Sequence, residues 1–112
     1  MNDTTARDIL ASTVIVQFTS HAFGFNVTEV TGPSLRQPLA WSRQVGMYLC
    51  RELTTLSVYQ IGVMFGGRHR TTVVRSIEKV NGVMRSDREI FDKVTRLTHT
   101  LRPMVEACRA MG

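Results

Sequence analysis

The 112 residues predict an all-α fold of about five to six helices arranged round a helix-turn-helix. Three observations point there. Apolar residues recur at helical spacing almost throughout, and Ser57 with Gln60 forms a capping box. The pair Gly66-Gly67 separates two such segments, and the second opens Arg68-His69-Arg70-Thr71-Thr72. A tight turn followed by donors at a helix N-terminus is how a helix-turn-helix presents its second helix to DNA. The length suits one domain, 1–112, divided into an N-terminal helix (1–24), a short turn and loop (25–38), a helix-turn-helix core (39–85) and a C-terminal helical segment (86–112).

The elements follow in order. Thr5 and Asp8 resemble an N-terminal capping pair, and Ile9, Leu10, Thr13, Val14 and Phe18 then recur at helical spacing until Gly24. Thr13-Val14-Ile15-Val16 is β-branched, yet no partner strand is evident elsewhere, so helix is the expectation. Phe25 to Val30 has room for one helical turn after Asn26. Gly32, Pro33 and Pro38 make Thr31–Pro38 a loop. A helix over Leu39–Leu53 carries Val45, Leu49 and Leu53 on its apolar face, with Trp41 as core or loop anchor, and Gly46 permits a close contact. A short helix from the Ser57 box buries Val58, Ile61 and Phe65. The next, from about Arg70 to Met84, places Val73, Ile77, Val80 and Met84 on one face. Ser86 to Glu89 reads as a further capping box that opens a helix with Ile90, Val94, Leu97 and Leu101 inward. Pro103 should interrupt it, leaving Met104, Val105, Cys108 and Met111 to a short terminal turn or helix.

Charge is concentrated around the glycine turn. The formal net charge is +5, but Arg36 to Arg85 holds eight basic and two acidic residues, so that stretch carries +6 and the remainder −1. A polyanion partner is implied. Within the turn region, Arg68 and Arg70 are long donors, Thr71 and Thr72 offer hydroxyls and methyls to base edges, and the free N–H groups of the helix start attract phosphate. His69 lies between the two arginines, and Arg75 is on the outward side of the same helix.

Other chemistry is not supported. Cys50 and Cys108 belong to no CxxC and read as free thiols in a reducing cytosol. His21, His69 and His99 are too scattered for a metal site, and Asp87, Glu89 and Asp92 suit a helix N-terminus better than a catalytic pair. The expectation is no enzyme, no cofactor and no metal. No apolar run reaches membrane-span length and no secretory signal is visible, so a cytoplasmic, nucleoid-associated protein is expected.

The ordered residues Arg43-Gln44-x-x-Met47-Tyr48-Leu49-x-x-Glu52-Leu53-Thr54, Ser57-x-x-x-Ile61-Gly62-x-x-Phe65-Gly66-Gly67-Arg68 and Thr71-Thr72-Val73 resemble the C-terminal DNA-binding domain of DnaA, the bacterial replication initiator, over roughly residues 16–101. The resemblance implies an all-helical, Trp-repressor-like helix-turn-helix domain binding double-stranded DNA. Its recognition helix enters the major groove of a DnaA box, while a basic loop reaches the neighbouring minor groove. Carried onto this chain, it gives Arg43 and Ser57 phosphate contacts, Arg68 and Thr72 an anchoring role, and Thr71 base contacts. Three departures stand out. The family's typical Asp-His is His69-Arg70 here, which implies an altered site. The loop offers only Arg36, which implies weaker minor-groove reading. No GxxxxGK[ST] loop occurs, so no ATP is expected and the chain reads as a stand-alone regulator of replication or transcription. The alternative is a protein-interaction module that binds the initiator or itself through its terminal helices.

Overall fold

A computed structural model describes residues 3–111; residues 1, 2 and 112 of the expected N- and C-terminal segments lie outside the described residues. Six helices and no strand occur among the described residues: α1 Asp3–Ala22, α2 Val27–Thr31, α3 Leu39–Leu53, α4 Val58–Met64, α5 Arg70–Ser86 and α6 Arg88–Ala110. One apolar core joins them, with Ile15, Val45, Met47, Leu49, Ile61, Phe65, Val73, Val80, Val94 and Leu101 at its centre.

α3 is the axle of the fold and touches all five other helices. Its bounds are those the apolar spacing predicts. Gly46 lies where a Cβ would stand 2.9 Å from the Phe65 ring, so the close contact it permits is with an aromatic side chain rather than a helix backbone. Before α3, Asn26 caps α2 with a full capping box: Glu29 N donates to Asn26 Oδ1 at 2.8 Å, and Asn26 N to Glu29 Oε1 at 3.1 Å.

α1 corrects two expectations. It is already helical at Asp3, so Thr5 and Asp8 lie inside it and do not cap it. Its buried face is Asp8, Ala11, Ser12, Ile15, Val16, Thr19 and Ser20, whereas Leu10 of the apolar stripe is 43% exposed. Small residues on that face let α3 and α6 pack close; hydrogen bonds offset the burial of Ser20 and Asp8, whereas the Thr19 hydroxyl finds no hydrogen-bond partner among the described residues. Ser20 Oγ donates to Val16 O at 2.6 Å. The buried Asp8 carboxylate accepts from Thr55 N at 3.0 Å and from the Thr55 hydroxyl, and it pairs with Arg109 Nε at 3.0 Å.

The C-terminal segment corrects two more. Ser86 is the last residue of α5; Asp87 caps α6, its Oδ1 accepting from Ile90 N at 3.2 Å. Pro103 does not interrupt α6, which runs through to Ala110. Proline removes the bond to the His99 carbonyl, a cost of about 3 kcal/mol in a helix interior. Both residues are on the exposed face, where water can serve that carbonyl, while Leu101 and Val105 on the other face are buried.

Candidate nucleic-acid interface

The helix-turn-helix is α4, the turn at 65–69 and α5. Ser57 caps α4 reciprocally with Gln60, at 3.1 and 2.8 Å. After Met64 the chain reverses through Gly66 (φ 85°) and Gly67 (φ 77°), and both Gly67 N and Arg68 N donate to Gly62 O, at 3.1 and 2.9 Å. These left-handed conformations favour glycine. Gly66 meets a second restriction, since a Cβ there would collide with the Thr31 carbonyl; Gly67 faces open space. Gly62 is required for space alone, because a Cβ would strike the Arg68 carbonyl. The turn therefore fixes where α5 begins and seats the end of α2 against it.

His69 is the N-cap of α5, its Nδ1 accepting from Thr71 N at 3.1 Å. A neutral imidazole that accepts at one nitrogen donates at the other, so the cap leaves Nε2 as a donor. Sequence reasoning placed His69 among base-reading residues and missed this cap; its position three residues before Thr72 on a helix start was the available signal. Arg70, Thr71, Thr72 and Arg75 follow, all exposed. The head groups of Arg36, Arg70 and Arg75 hold no hydrogen bond or ion pair among the described residues. The exposed start of α5, at the positive end of the helix dipole, thus carries the unpaired Arg70 beside two threonines, with Arg75 about one turn further on.

Arg43 and Arg68 are placed differently. Arg43 is 3% exposed; its Nε donates to Val30 O at 2.7 Å and its Nη2 to Gly32 O at 3.2 Å. Arg68 donates to Phe65 O and, at 2.7 Å, to the same Gly32 O. Burial lowers the pKa of both from the ordinary value, and the Arg68 charge lowers that of Arg43 further. Arginine remains charged through such shifts. The phosphate grip the resemblance assigns to Arg43 therefore meets a guanidinium already engaged inside the protein. Two cations and one carbonyl tie the 32–38 loop to the turn, a junction the sequence did not disclose.

Ser57 is exposed but stands at the far end of α4 from the turn, its Oγ occupied as a cap. Arg36 is exposed on the loop. Trp41 is partly buried, its N–H of the main chain donating to Gln37 Oε1 at 3.2 Å and Lys79 lying 5.9 Å over its ring, consistent with a loop anchor. Among the described residues no cluster of three His, Cys, Asp or Glu could hold a metal ion, and no helix is long and apolar enough to cross a membrane.

Known proteins resemble this chain in sequence. The family described as bacterial dnaA protein helix-turn-helix matches residues 12–80, from mid-α1 to the middle of α5. Similar relatives bear the name chromosomal replication initiator protein DnaA. That of Mycobacteroides abscessus is 45% identical over 100 residues, covering 89% of this chain, and that of Leifsonia xyli subsp. xyli is 41% identical over 95 residues, covering 85%. The chain spans only 20% of the length of either relative.

Proposed function

The chain belongs to the bacterial DnaA helix-turn-helix family, which implies DNA binding, and we propose that it is a sequence-specific reader of double-stranded DNA that regulates replication initiation or transcription. The observation that carries this reading is the exposed, unpaired set Arg70, Thr71, Thr72 and Arg75 at the capped start of α5. With α5 in the major groove, Arg70 forks onto a guanine edge, Thr71 meets a thymine methyl or an acceptor, and Arg75 and Thr72 reach backbone phosphate. Arg68 and Arg43 set the positions of the turn and loop, and Arg36 brings charge to the adjoining groove. Ser57 sits where the free N–H groups of α4 face a phosphate.

The exchange of Asp-His for His69-Arg70 supports a site that differs from the usual DnaA box. An acid at the N-cap would repel phosphate; His69 caps the same helix without that charge. Regulation follows from occupying sites at origins or promoters in the cytoplasm, on the nucleoid, without ATP. A domain of this kind is not catalytic. A second reading, contact with the initiator or a second copy, draws on Leu10, Met104 and Met111, exposed on α1 and beside the end of α6; light scattering at rising concentration tests it.

The decisive experiment is selection of bound sequences from random duplexes, followed by titration at two salt concentrations. Neutralising about five phosphates gives a log–log salt slope of roughly −4 to −5. Failure to bind any duplex at low salt overturns the reading.

A further inference from the structure

We propose that His69 determines specificity at one base pair: its cap on α5 makes the ring a donor-only reader, which takes guanine and rejects cytosine. This deepens the DNA-binding reading above and rests on it.

The capping bond fixes the chemistry of the ring. Nδ1 accepts from Thr71 N at 3.1 Å. A free neutral histidine presents either a donor or an acceptor at its outer nitrogen, because its one ring proton can sit on either nitrogen. His69 is not free to choose. To accept at Nε2 it would have to carry its proton on Nδ1, opposite the Thr71 N–H. Two donors would then face each other, and α5 would lose its side-chain cap. A doubly protonated ring also donates at Nε2. In either charge state the outer nitrogen is a donor.

Nothing inside the molecule uses that donor. His69 is exposed, and its Nε2 holds no hydrogen bond among the described residues. No Asp or Glu occurs between Thr54 and Ile77. The approach to the ring is open as well. Gly67, two residues earlier, has no side chain, and a Cβ built there would meet nothing within 4 Å. Arg70 and Thr71, the proposed base contacts, follow directly, so Nε2 addresses the base pair beside theirs.

In the major groove guanine offers two acceptors, adenine and thymine one each, and cytosine a donor alone. A fixed N–H therefore bonds to guanine. Against cytosine it meets a second N–H, and both donors are left without a partner. A loss of that kind corresponds to about tenfold in affinity.

The test uses the full chain and the duplex it selects, with all four base pairs placed in turn at every position of the site. Competition titration then compares wild type with variants of His69. Wild type should bind guanine about tenfold more tightly than cytosine at the position beside that read by Arg70. His69→Asn caps through its side-chain oxygen and keeps N–H donors, so it should retain that ranking. His69→Asp caps as well but only accepts, so it should reverse the ranking at that position and leave the others unchanged. His69→Ala can do neither and should bind both bases about equally there. Urea denaturation should place the Asn and Asp variants close to wild type, which separates a reversal from a folding defect. An Asp variant that keeps guanine ahead of cytosine, or preferences that change at no position on any substitution, overturns the inference: His69 then caps α5 and reads nothing, while DNA binding stands. If no duplex is bound at all, the DNA-binding reading falls and this inference with it.

Discussion

Where α1 and α6 close the molecule, Asp8 is buried and its carboxylate is taken up by Thr55 and Arg109. At the start of α5, Arg70 and Arg75 are exposed and hold no partner among the described residues. The first region satisfies its charge within the chain and so contributes to stability. The second leaves its charge unsatisfied, which contributes little to folding but suits an incoming polyanion. A variant in one region should leave the other region's measurable property unchanged.

The largest expected effect lies in the turn that launches α5. Gly66→Ala combines a left-handed backbone with a collision against the Thr31 carbonyl, and should destabilise the fold by about 2–4 kcal/mol while weakening DNA binding. Gly67→Ala meets open space and should cost only about 1 kcal/mol for its backbone conformation. Urea denaturation separates them, and equal losses would show that strain rather than contact with Thr31 governs the turn.

Next, Asp8→Ala should cost about 2–3 kcal/mol, by leaving the Thr55 main-chain N–H without its acceptor and Arg109 without its counter-charge, yet leave duplex affinity unchanged below the unfolding transition. Arg70→Ala should do the reverse: stability within about 0.5 kcal/mol of wild type, but about 1–3 kcal/mol less discrimination at one base pair. If Asp8→Ala altered site preference, the two regions would not be separable.

The smallest effect concerns the cysteines. Burial pushes the Cys50 thiol up to about 12, a nearby Ser12 hydroxyl opposing the shift, while Cys108 is only partly buried. The thiol is neutral when protonated, so its raised pKa leaves stability whole below the ordinary value of 9.0 and erodes it as pH rises from there towards 12. Alkylation of the native protein at mildly alkaline pH should therefore label Cys108 first and reach Cys50 only on unfolding. Mass spectrometry of timed samples reads the order.

What was legible in the sequence was whatever is decided locally. The bounds of α3, the Ser57 box of α4 and the glycine turn depend on residues within one or two helical turns of each other. The inward face of α1 was not legible, because Asp8, Ser12 and Thr19 look solvent-facing until α3, the α3–α4 connection and α6 fold over them. Asp8 finds its partners 47 residues away at Thr55 and beyond that at Arg109. Pro103 was misread because a local rule about helix interiors met a tertiary contact that outweighs it. Among the candidate site residues, the cluster from Arg68 to Arg75 was visible by spacing. The burial of Arg43 had a usable signal: with Ala40, Met47 and Cys50 it falls on the inward face of α3.

The Gly32 carbonyl, shared by Arg43 and Arg68, makes the distance between loop and recognition helix a constant of the molecule. If each element reads its own stretch of duplex, as proposed, the carbonyl acts as a ruler between two words of one site. Inserting a single base pair between those words rotates one against the other by roughly 34–36°, at 10–10.5 base pairs per turn. A flexible loop could follow that rotation. One pinned at its root cannot, and spacing becomes as much a part of the site as the bases themselves.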